Sequence, residues 1–216
     1  GIVIGPSASD ILVEGLSIVN AMNGVVAQGL TVIGVEASNR VVRGMLVGIF
    51  PDGNDPLALR NRGHGIVVDA PGAGLPNNSL SVDSSFVGYN GEVGIVSIRG
   101  NTIVDVSFCE VVTNGQLSDA HDGIDVNGLP SMVKYNLSRD NTNLNGVVNS
   151  GSAHGIEAGS QDAGTGGHMI ENNTVLNNRG AGIAIRAGSS NNVVMKNISS
   201  GNAAGIYVNA EQQGQT

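Results

Sequence analysis

One short phrase, a glycine followed by an alternating apolar strand, recurs along the whole chain. Its clearest copies are His-Gly-Ile-Val-Val (64–68), Val-Gly-Ile-Val-Ser (93–97), Asp-Gly-Ile-Asp-Val (122–126), His-Gly-Ile-Glu-Ala (154–158), Ala-Gly-Ile-Ala-Ile (181–185) and Ala-Gly-Ile-Tyr-Val (204–208). Looser copies stand at 1–4 and 24–27, so the glycines are 23 to 41 residues apart. A repeat of this length that consists of short strands is typical of a solenoid.

The shortest repeats show how one rung of the solenoid is built. Residues 1–23 contain three short apolar stretches separated by polar corners, and residues 182–204 follow the same plan. Three strands per rung predict a three-sided parallel β-helix, in which each strand pairs with its equivalent in the next rung, about 4.8 Å away. Because alternate side chains of a strand point to opposite faces, an internal isoleucine ladder is expected at Ile66, Ile95, Ile124, Ile156, Ile183 and Ile206.

Composition agrees with such a fold and excludes some partners. The chain has 33 glycines, 3% aromatic residues and no tryptophan, which suits a core of stacked Val, Ile, Leu and Ala with Gly and Asn at corners that require positive φ. A net charge of −8 argues against nucleic acid or an anionic membrane as the main partner. No apolar run is long enough to cross a bilayer, and no signal peptide is recognisable. Cys109 is expected to be a small buried hydrophobe.

Longer repeats predict insertions at the corners, in residues 24–64, 71–78 and 160–167. Asp52 and Asp55 lie in the first of these between two prolines, where they are consistent with a calcium loop or with a proline-flanked turn. Many asparagines also fall near corners, where Asn tolerates the left-handed conformation and its amide can bond to the next rung.

Candidate chemistry lies on the outward column, the residues one and three positions after each repeat isoleucine. The first position reads Val67, Val96, Asp125, Glu157, Ala184 and Tyr207. The second reads Asp69, Ile98, Asn127, Gly159, Arg186 and Asn209. The column places Asp125 and Glu157 on successive rungs of one predicted solvent-facing side, where two carboxylates raise each other's proton affinity and can divide the roles of acid and base. The same pair could instead share a divalent cation such as Ca²⁺. The candidate catalytic set is Asp125, Glu157, His154, His121, Asp122 and Arg186, with Tyr207 as a candidate sugar-binding residue.

The Gly-Ile rungs and the Asn-Asn corners at 172–173 and 191–192 resemble the parallel β-helix repeats of the pectin-lyase-like superfamily. The stretch from Gly53 to Asn78 also resembles large bacterial surface proteins with such repeats. The resemblance implies an all-β, right-handed, single-stranded parallel β-helix of about eight rungs, forming one domain over residues 1–216. It also implies an extracellular or cell-surface location and a polysaccharide partner.

Two segments resemble motifs of polygalacturonase-like hydrolases. The segment around His154-Gly-Ile is similar to their Gly-His-Gly-Ile-Ser motif, and Asp122-Gly-Ile-Asp125 is similar to their Asn-Thr-Asp-Gly motif. Ile185-Arg186 loosely resembles their Arg-Ile-Lys. The place of the family's paired-Asp motif is Leu-Asn-Gly-Val-Val (144–148), which has no acid.

Three interpretations follow from the sequence. The first is a glycan-associated scaffold, such as an adhesin or stalk; it is favoured because sugar-cleaving grooves usually contain aromatic platforms and only Tyr207 falls on the outward column. The second is a lyase, hydrolase or epimerase that acts on an acidic polysaccharide at the Asp125/Glu157 face. The third concerns assembly: the chain begins and ends near strands, so we expect end-to-end self-association or a longer parent chain.

Overall fold

The computed structural model describes residues 1–5, 8–28, 39–50, 60–69, 78–98, 101–117, 121–142, 153–159 and 166–209. These residues form 22 β-strands in three parallel sheets. None of the described segments is a helix that could cross a membrane.

The strands follow one another in the order first, second, third sheet, rung after rung. The first sheet contains β1 (Ile2–Ile4), β4 (Val25–Gln28), β7 (Ile66–Asp69), β10 (Ile95–Ser97), β13 (Ile124–Val126), β16 (Ile156–Ala158), β19 (Ala181–Ile185) and β22 (Ala204–Val208). The second contains β2 (Ile11–Glu14), β5 (Arg40–Arg43), β8 (Asn78–Asp83), β11 (Thr102–Ser107), β14 (Met132–Lys134), β17 (Met169–Glu171) and β20 (Val193–Met195). The third contains β3 (Ser17–Ile18), β6 (Leu46–Val47), β9 (Phe86–Gly88), β12 (Glu110–Val112), β15 (Leu137–Arg139), β18 (Thr174–Leu176) and β21 (Ile198–Ser200).

This strand order confirms the predicted parallel β-solenoid. Every strand pairs with the equivalent strand one repeat away, as β13 does with β10 and β16. The right hand and the count of about eight rungs stay predictions.

The core is the predicted stack of apolar side chains. Ile95 pairs with Ile66 on one side and Ile124 on the other, and Ile156 and Ile183 continue the ladder. These five side chains are fully buried, whereas Ile206, on the last strand, is 56% exposed. Cys109 lies in the same core, as predicted, and burial raises the pKa of its thiol to about 12, which keeps it unreactive.

The repeat glycines are required by close approach of the next rung. A Cβ on Gly94 would lie 2.6 Å from the carbonyl oxygen of Gly123 and 2.8 Å from the side-chain amide of Asn114. The same crowding recurs at Gly65, Gly123, Gly155 and Gly182. None of these glycines has positive φ. The glycines with positive φ that composition predicts stand elsewhere, at corners such as Gly15, Gly44, Gly48 and Gly201. The repeat glycines are explained instead by their close approach to the neighbouring rung.

Asparagine ladders support two of the corners. The long Asn ladder, between the third and first sheets, is Asn61, Asn90, Asn114, Asn141, Asn178 and Asn202, in which each amide donates to the next side-chain oxygen. The short Asn ladder, between the second and third sheets, is Asn136, Asn173 and Asn197. Asn172 and Asn177 adopt the left-handed conformation, with φ of 56° and 53°. Both roles predicted for corner asparagines are thus confirmed.

Most of the predicted insertions, including Asp52 and Asp55, lie outside the described residues.

Candidate functional site

The outward column of the first sheet has the predicted register. Asp125 pairs with Val96 and with Glu157, and Glu157 pairs in turn with Ala184. The prediction that this side faces solvent is wrong for Glu157 and Ala184, which are 2% and 1% exposed. Asp125 is partly buried, and its Oδ1 atom is buried. The two carboxylates therefore lie in a protected place rather than on an open face.

A cleft of about 400 Å³ opens over this part of the column. The described residues that line it are His64, Val93, Val96, Ile98, His121, Asp122, Asp125, Asn127, Glu157 and Arg186. Five of the six predicted catalytic residues thus line one cleft, and His154 lies behind it with 1% exposure. Tyr207 is on the predicted column, next to Ala184, but it is not among the described residues that line the cleft.

The polar residues that precede the repeat glycines form a separate series of hydrogen bonds between rungs, the pre-glycine ladder. Oδ1 of Asn23 accepts the backbone N–H of His64 at 2.9 Å, and Nδ1 of His64 accepts a backbone N–H of the next rung at 3.2 Å. Further along, Oδ1 of Asp122 accepts the backbone N–H of His154 at 2.6 Å. Nδ1 of His154 accepts that of Ala181 at 2.8 Å. Asp122 and His154 therefore have a structural role at the corner in addition to any chemical one.

This ladder determines the tautomer of His154. Because Nδ1 accepts a backbone N–H, the neutral ring carries its proton on Nε2. Nε2 lies 3.7 Å from Oε2 of Glu157, so the proton points toward that carboxylate. Burial, together with the positive charge of Arg186, lowers the pKa of His154 to about 4. The imidazole is therefore neutral at pH 7.

The carboxylates are only partly compensated. Arg186 donates from Nε to Oε1 of Glu157 at 2.7 Å, from a side chain that is 49% exposed. Oε2 of Glu157 and Oδ1 of Asp125 are buried and have no hydrogen-bond partner. Buried polar atoms normally have partners, and leaving one without a partner costs about 1–3 kcal/mol. Such atoms are expected where a ligand supplies the missing bond.

Electrostatics favour retained protons on this cluster. Burial raises the pKa of Asp122 and Asp125 well above the ordinary value, and the charge of Glu157 raises both further. Burial also raises the pKa of Glu157, although Arg186 opposes that shift. The carboxyl without a direct cationic partner, Asp125, is therefore the better proton holder, and Glu157 is the one that ionises first.

A cation could be held by part of the cluster. Ligand atoms of Asp122, His154 and Glu157 all lie within 4.8 Å of one another, a set that overlaps the predicted metal pair, Asp125 and Glu157, only at Glu157. Ca²⁺ takes oxygen ligands, whereas a histidine ligand is typical of zinc and related metals. With Nδ1 of His154 occupied and Nε2 protonated, this imidazole is a hydrogen-bond donor. The geometry fits a carboxylate cluster with a neutral donor better than a three-ligand metal centre.

The cleft also contains residues that sequence reasoning did not assign to it. His64 pairs with Glu92 at 3.0 Å and stands edge-on to His121, with ring centroids 6.0 Å apart. Asn127 lies one column beyond Asp125 and binds the preceding rung through Ser97. The alternation that directs Asp125 outward directs Asn127, two residues later, to the same face.

Comparisons with known proteins give no match: no family model, no curated protein and no solved structure is significantly similar to this chain. The parallel β-solenoid is established by the structure, and the resemblance to the pectin-lyase-like superfamily stays an interpretation of the motifs.

Proposed function

We propose that the protein is a glycoside hydrolase whose acid and base are Asp125 and Glu157. The observation that supports this proposal is the pair of buried carboxylate oxygens without partners beside a cleft of about 400 Å³. A buried, uncompensated carboxylate pair is costly to a fold, and such groups concentrate where catalysis needs them. A glycan-associated scaffold, the interpretation favoured by the sequence, leaves this cost unexplained.

The environments of the two carboxyls divide their roles. Asp125, whose pKa is raised well above the ordinary range by burial and by Glu157, keeps its proton and donates it to the leaving glycosidic oxygen. Glu157 is ionised by Arg186 at 2.7 Å and attacks the anomeric carbon or activates water. The Nε2–H of neutral His154 faces Oε2 of Glu157 at 3.7 Å, too far for a hydrogen bond.

The spacing favours one stereochemical outcome. Asp125 and Glu157 are direct register partners on neighbouring strands, and neighbouring strands are about 4.8 Å apart. Retaining hydrolases have their carboxyls about 5–5.5 Å apart, and inverting ones about 6.5–9.5 Å. We therefore expect a covalent glycosyl intermediate on Glu157 and retention of configuration at the anomeric carbon.

The charge of the cleft favours a neutral sugar over the acidic polysaccharide expected from sequence. A uronate needs a cation to neutralise its carboxylate. Among the described residues that line the cleft, only Arg186 carries a permanent positive charge, and it is already bonded to Glu157. The extracellular or cell-surface location and the polysaccharide partner belong to this proposal. Self-association is not needed for it.

The test is turnover on neutral and acidic polysaccharides, measured by release of reducing ends, with a proton NMR readout of the anomer formed first. We expect release from a neutral glycan and a loss of about 100-fold or more in Asp125→Asn and Glu157→Gln. Glu14→Gln is the matched control, because Glu14 forms the same type of pair, with Arg43, on an exposed part of the second sheet.

Two outcomes would contradict the proposal: a blank panel, or activity that survives both site substitutions. Parallel reactions with added Ca²⁺ and with EDTA test the alternative that the carboxylates share a cation. Activity that requires Ca²⁺, or unsaturated products that absorb in the ultraviolet, would favour a lyase instead.

A further inference from the structure

Aromatic residues are concentrated on the side of the solenoid that carries the third sheet. Of the six in the chain, five lie on or beside the outer face of that sheet: Phe50, Phe86, Tyr89, Phe108 and Tyr135. None of the described Phe or Tyr residues lines the catalytic cleft. Aromatic side chains are scarce in this protein, so their concentration on one face indicates a specific role for them there.

Three of these rings line a groove of about 370 Å³, the aromatic groove. The described residues that line it are Leu46, Ile49, Phe50, Phe86, Tyr89, Glu110 and Arg139. Phe86 lies in register between Leu46 on one neighbouring strand and Glu110 on the other. The groove therefore runs across several rungs, from an aromatic end to a charged end. Its volume is within the range of about 300–1,000 Å³ found for sites that bind small molecules.

Tyr89 occupies a backbone conformation that disfavours its side chain. Its φ is 57°, in the left-handed region, which is uncommon for bulky residues and costs energy. In the later rungs the corresponding corner is occupied by Thr113, Asp140, Asn177 and Gly201, all with positive φ. The repeat therefore imposes this conformation on any residue at the corner, and asparagine or glycine adopts it at the lowest cost. An asparagine at position 89 should thus be compatible with the fold.

The stacked pair at the other border of the sheet shows the same feature. Phe108 and Tyr135 have φ values of 53° and 58°, and in other rungs the same corner is occupied by Ser84, Asn172 and Lys196, also with positive φ. Their rings are parallel, with centroids 5.1 Å apart, and they are 61% and 51% exposed. Burial in the core therefore does not account for these rings either.

At the charged end of the groove, two carboxylates hold the planar guanidinium of Arg139 in one orientation. Arg139 donates from Nε and Nη2 to Oε1 of Glu110, at 3.1 and 2.6 Å, and from Nη1 to Asp140 at 2.7 Å. Arg139 and Glu110 remain about one-third exposed, with 37% and 36% of their side-chain surface accessible. One cation with two carboxylates gives a local charge near −1, which opposes an anionic ligand.

We propose that the aromatic groove is a carbohydrate-binding site, separate from the catalytic cleft, that takes neutral oligosaccharides. A pyranose ring has an apolar C–H face, which stacks on Phe86 and Tyr89, and a rim of hydroxyls, which bond to Arg139 and Glu110. The site lies on the third sheet, whereas Asp125 and Glu157 are on the first. It would hold a polymer to the protein without taking part in bond cleavage.

The experiment measures binding of hexasaccharides of glucose, mannose and xylose by calorimetry, with oligogalacturonate as the charged comparator. The variants are Tyr89→Asn and Phe86→Ala; Asn is chosen because it suits positive φ. We expect at least one neutral hexasaccharide to bind, and each variant to weaken binding about tenfold or more. Tyr89→Asn should leave the melting temperature unchanged or higher.

Leu12→Ala is the matched control, because it removes an exposed apolar side chain from the second sheet and should leave binding unchanged. The groove variants are also measured in the Asp125→Asn background, where cleavage of the hexasaccharide adds no heat, and they should weaken binding by the same factor there as in the wild type. The proposal is overturned if no neutral hexasaccharide binds, if only the charged one does, or if neither groove variant changes the affinity. A lower melting temperature for Tyr89→Asn with unchanged binding would assign the ring to packing.

Discussion

Acidification is expected to destabilise this protein through a buried histidine that is not among the described residues lining the Asp125/Glu157 cleft. His168 is fully buried, and its Nδ1 accepts the backbone N–H of Ser131 at 3.2 Å. Its Nε2 atom is buried, and a backbone hydrogen bond with Gly159 offsets only part of the effect of burial on its pKa. Burial lowers the pKa of His168 from 6.5 to about 4, because a charged imidazole cannot be solvated there.

The sign and size of the effect follow from proton linkage. Between pH 6.5 and 4 the unfolded chain binds a proton at His168 and the native state does not, so stability falls as pH falls. One pKa unit corresponds to about 1.36 kcal/mol. The full loss below pH 4 is therefore about 3 kcal/mol, and the loss at pH 5 is about 2 kcal/mol.

The substitution that isolates this effect is His168→Asn. Asn192 occupies the equivalent corner one rung later and accepts the backbone N–H of His168 at 3.0 Å, so an asparagine suits the position. Free energies of unfolding from urea titrations at pH 7.5, 6 and 5 are compared between the two proteins. The wild type should lose about 2 kcal/mol more than the variant on going to pH 5.

Asn192→Ser is the control. Serine is compatible with this position, since Ser131 occupies the equivalent corner one rung before His168, and neither asparagine nor serine titrates. Its stability difference from the wild type should not depend on pH. If the wild type and His168→Asn lose stability in parallel down to pH 5, the linkage argument is refuted.

Three further substitutions test the packing and the site. Gly94→Ala should lower the free energy of unfolding by about 1–3 kcal/mol through overpacking, because its Cβ would lie 2.6 Å from a backbone oxygen of the next rung. The control, Gly5→Ala, has open space around the new Cβ and should change the urea midpoint little. Asn141→Ala should lower the free energy of unfolding by about 2–4 kcal/mol, since this buried side chain is bonded to both of its neighbours in the long Asn ladder. A decrease below 1 kcal/mol in urea unfolding would mean that the ladder contributes little to stability. Asp125→Asn should raise stability by about 1–3 kcal/mol at pH 8. The gain should vanish toward pH 4, because the raised pKa of Asp125 makes the wild type lose stability as pH rises through it; a gain independent of pH would count against a protonated Asp125.

Much of the fold could be read from the spacing of one phrase. In a parallel β-helix, equivalent residues of successive repeats become neighbours in space, and alternate side chains point to opposite faces. This is why the isoleucine ladder and the pairing of Asp125 with Glu157 were predictable without a structure. The corner asparagines were predictable for a related reason, since their amides reach only the adjacent rung.

Burial and the identity of hydrogen-bond partners were decided by the tertiary structure. Periodicity shows that Glu157 points outward, but its 2% exposure depends on chain segments distant in sequence. The protonation of His154 likewise depends on the backbone N–H of Ala181 in the next rung. The aromatic groove collects Phe50, Phe86 and Tyr89 from two rungs, at positions with no common place in the repeat. Register follows from local spacing, whereas solvent access and proton positions follow from three-dimensional packing. Solvent access and proton positions determine whether an ordered column of residues can act as a chemical site.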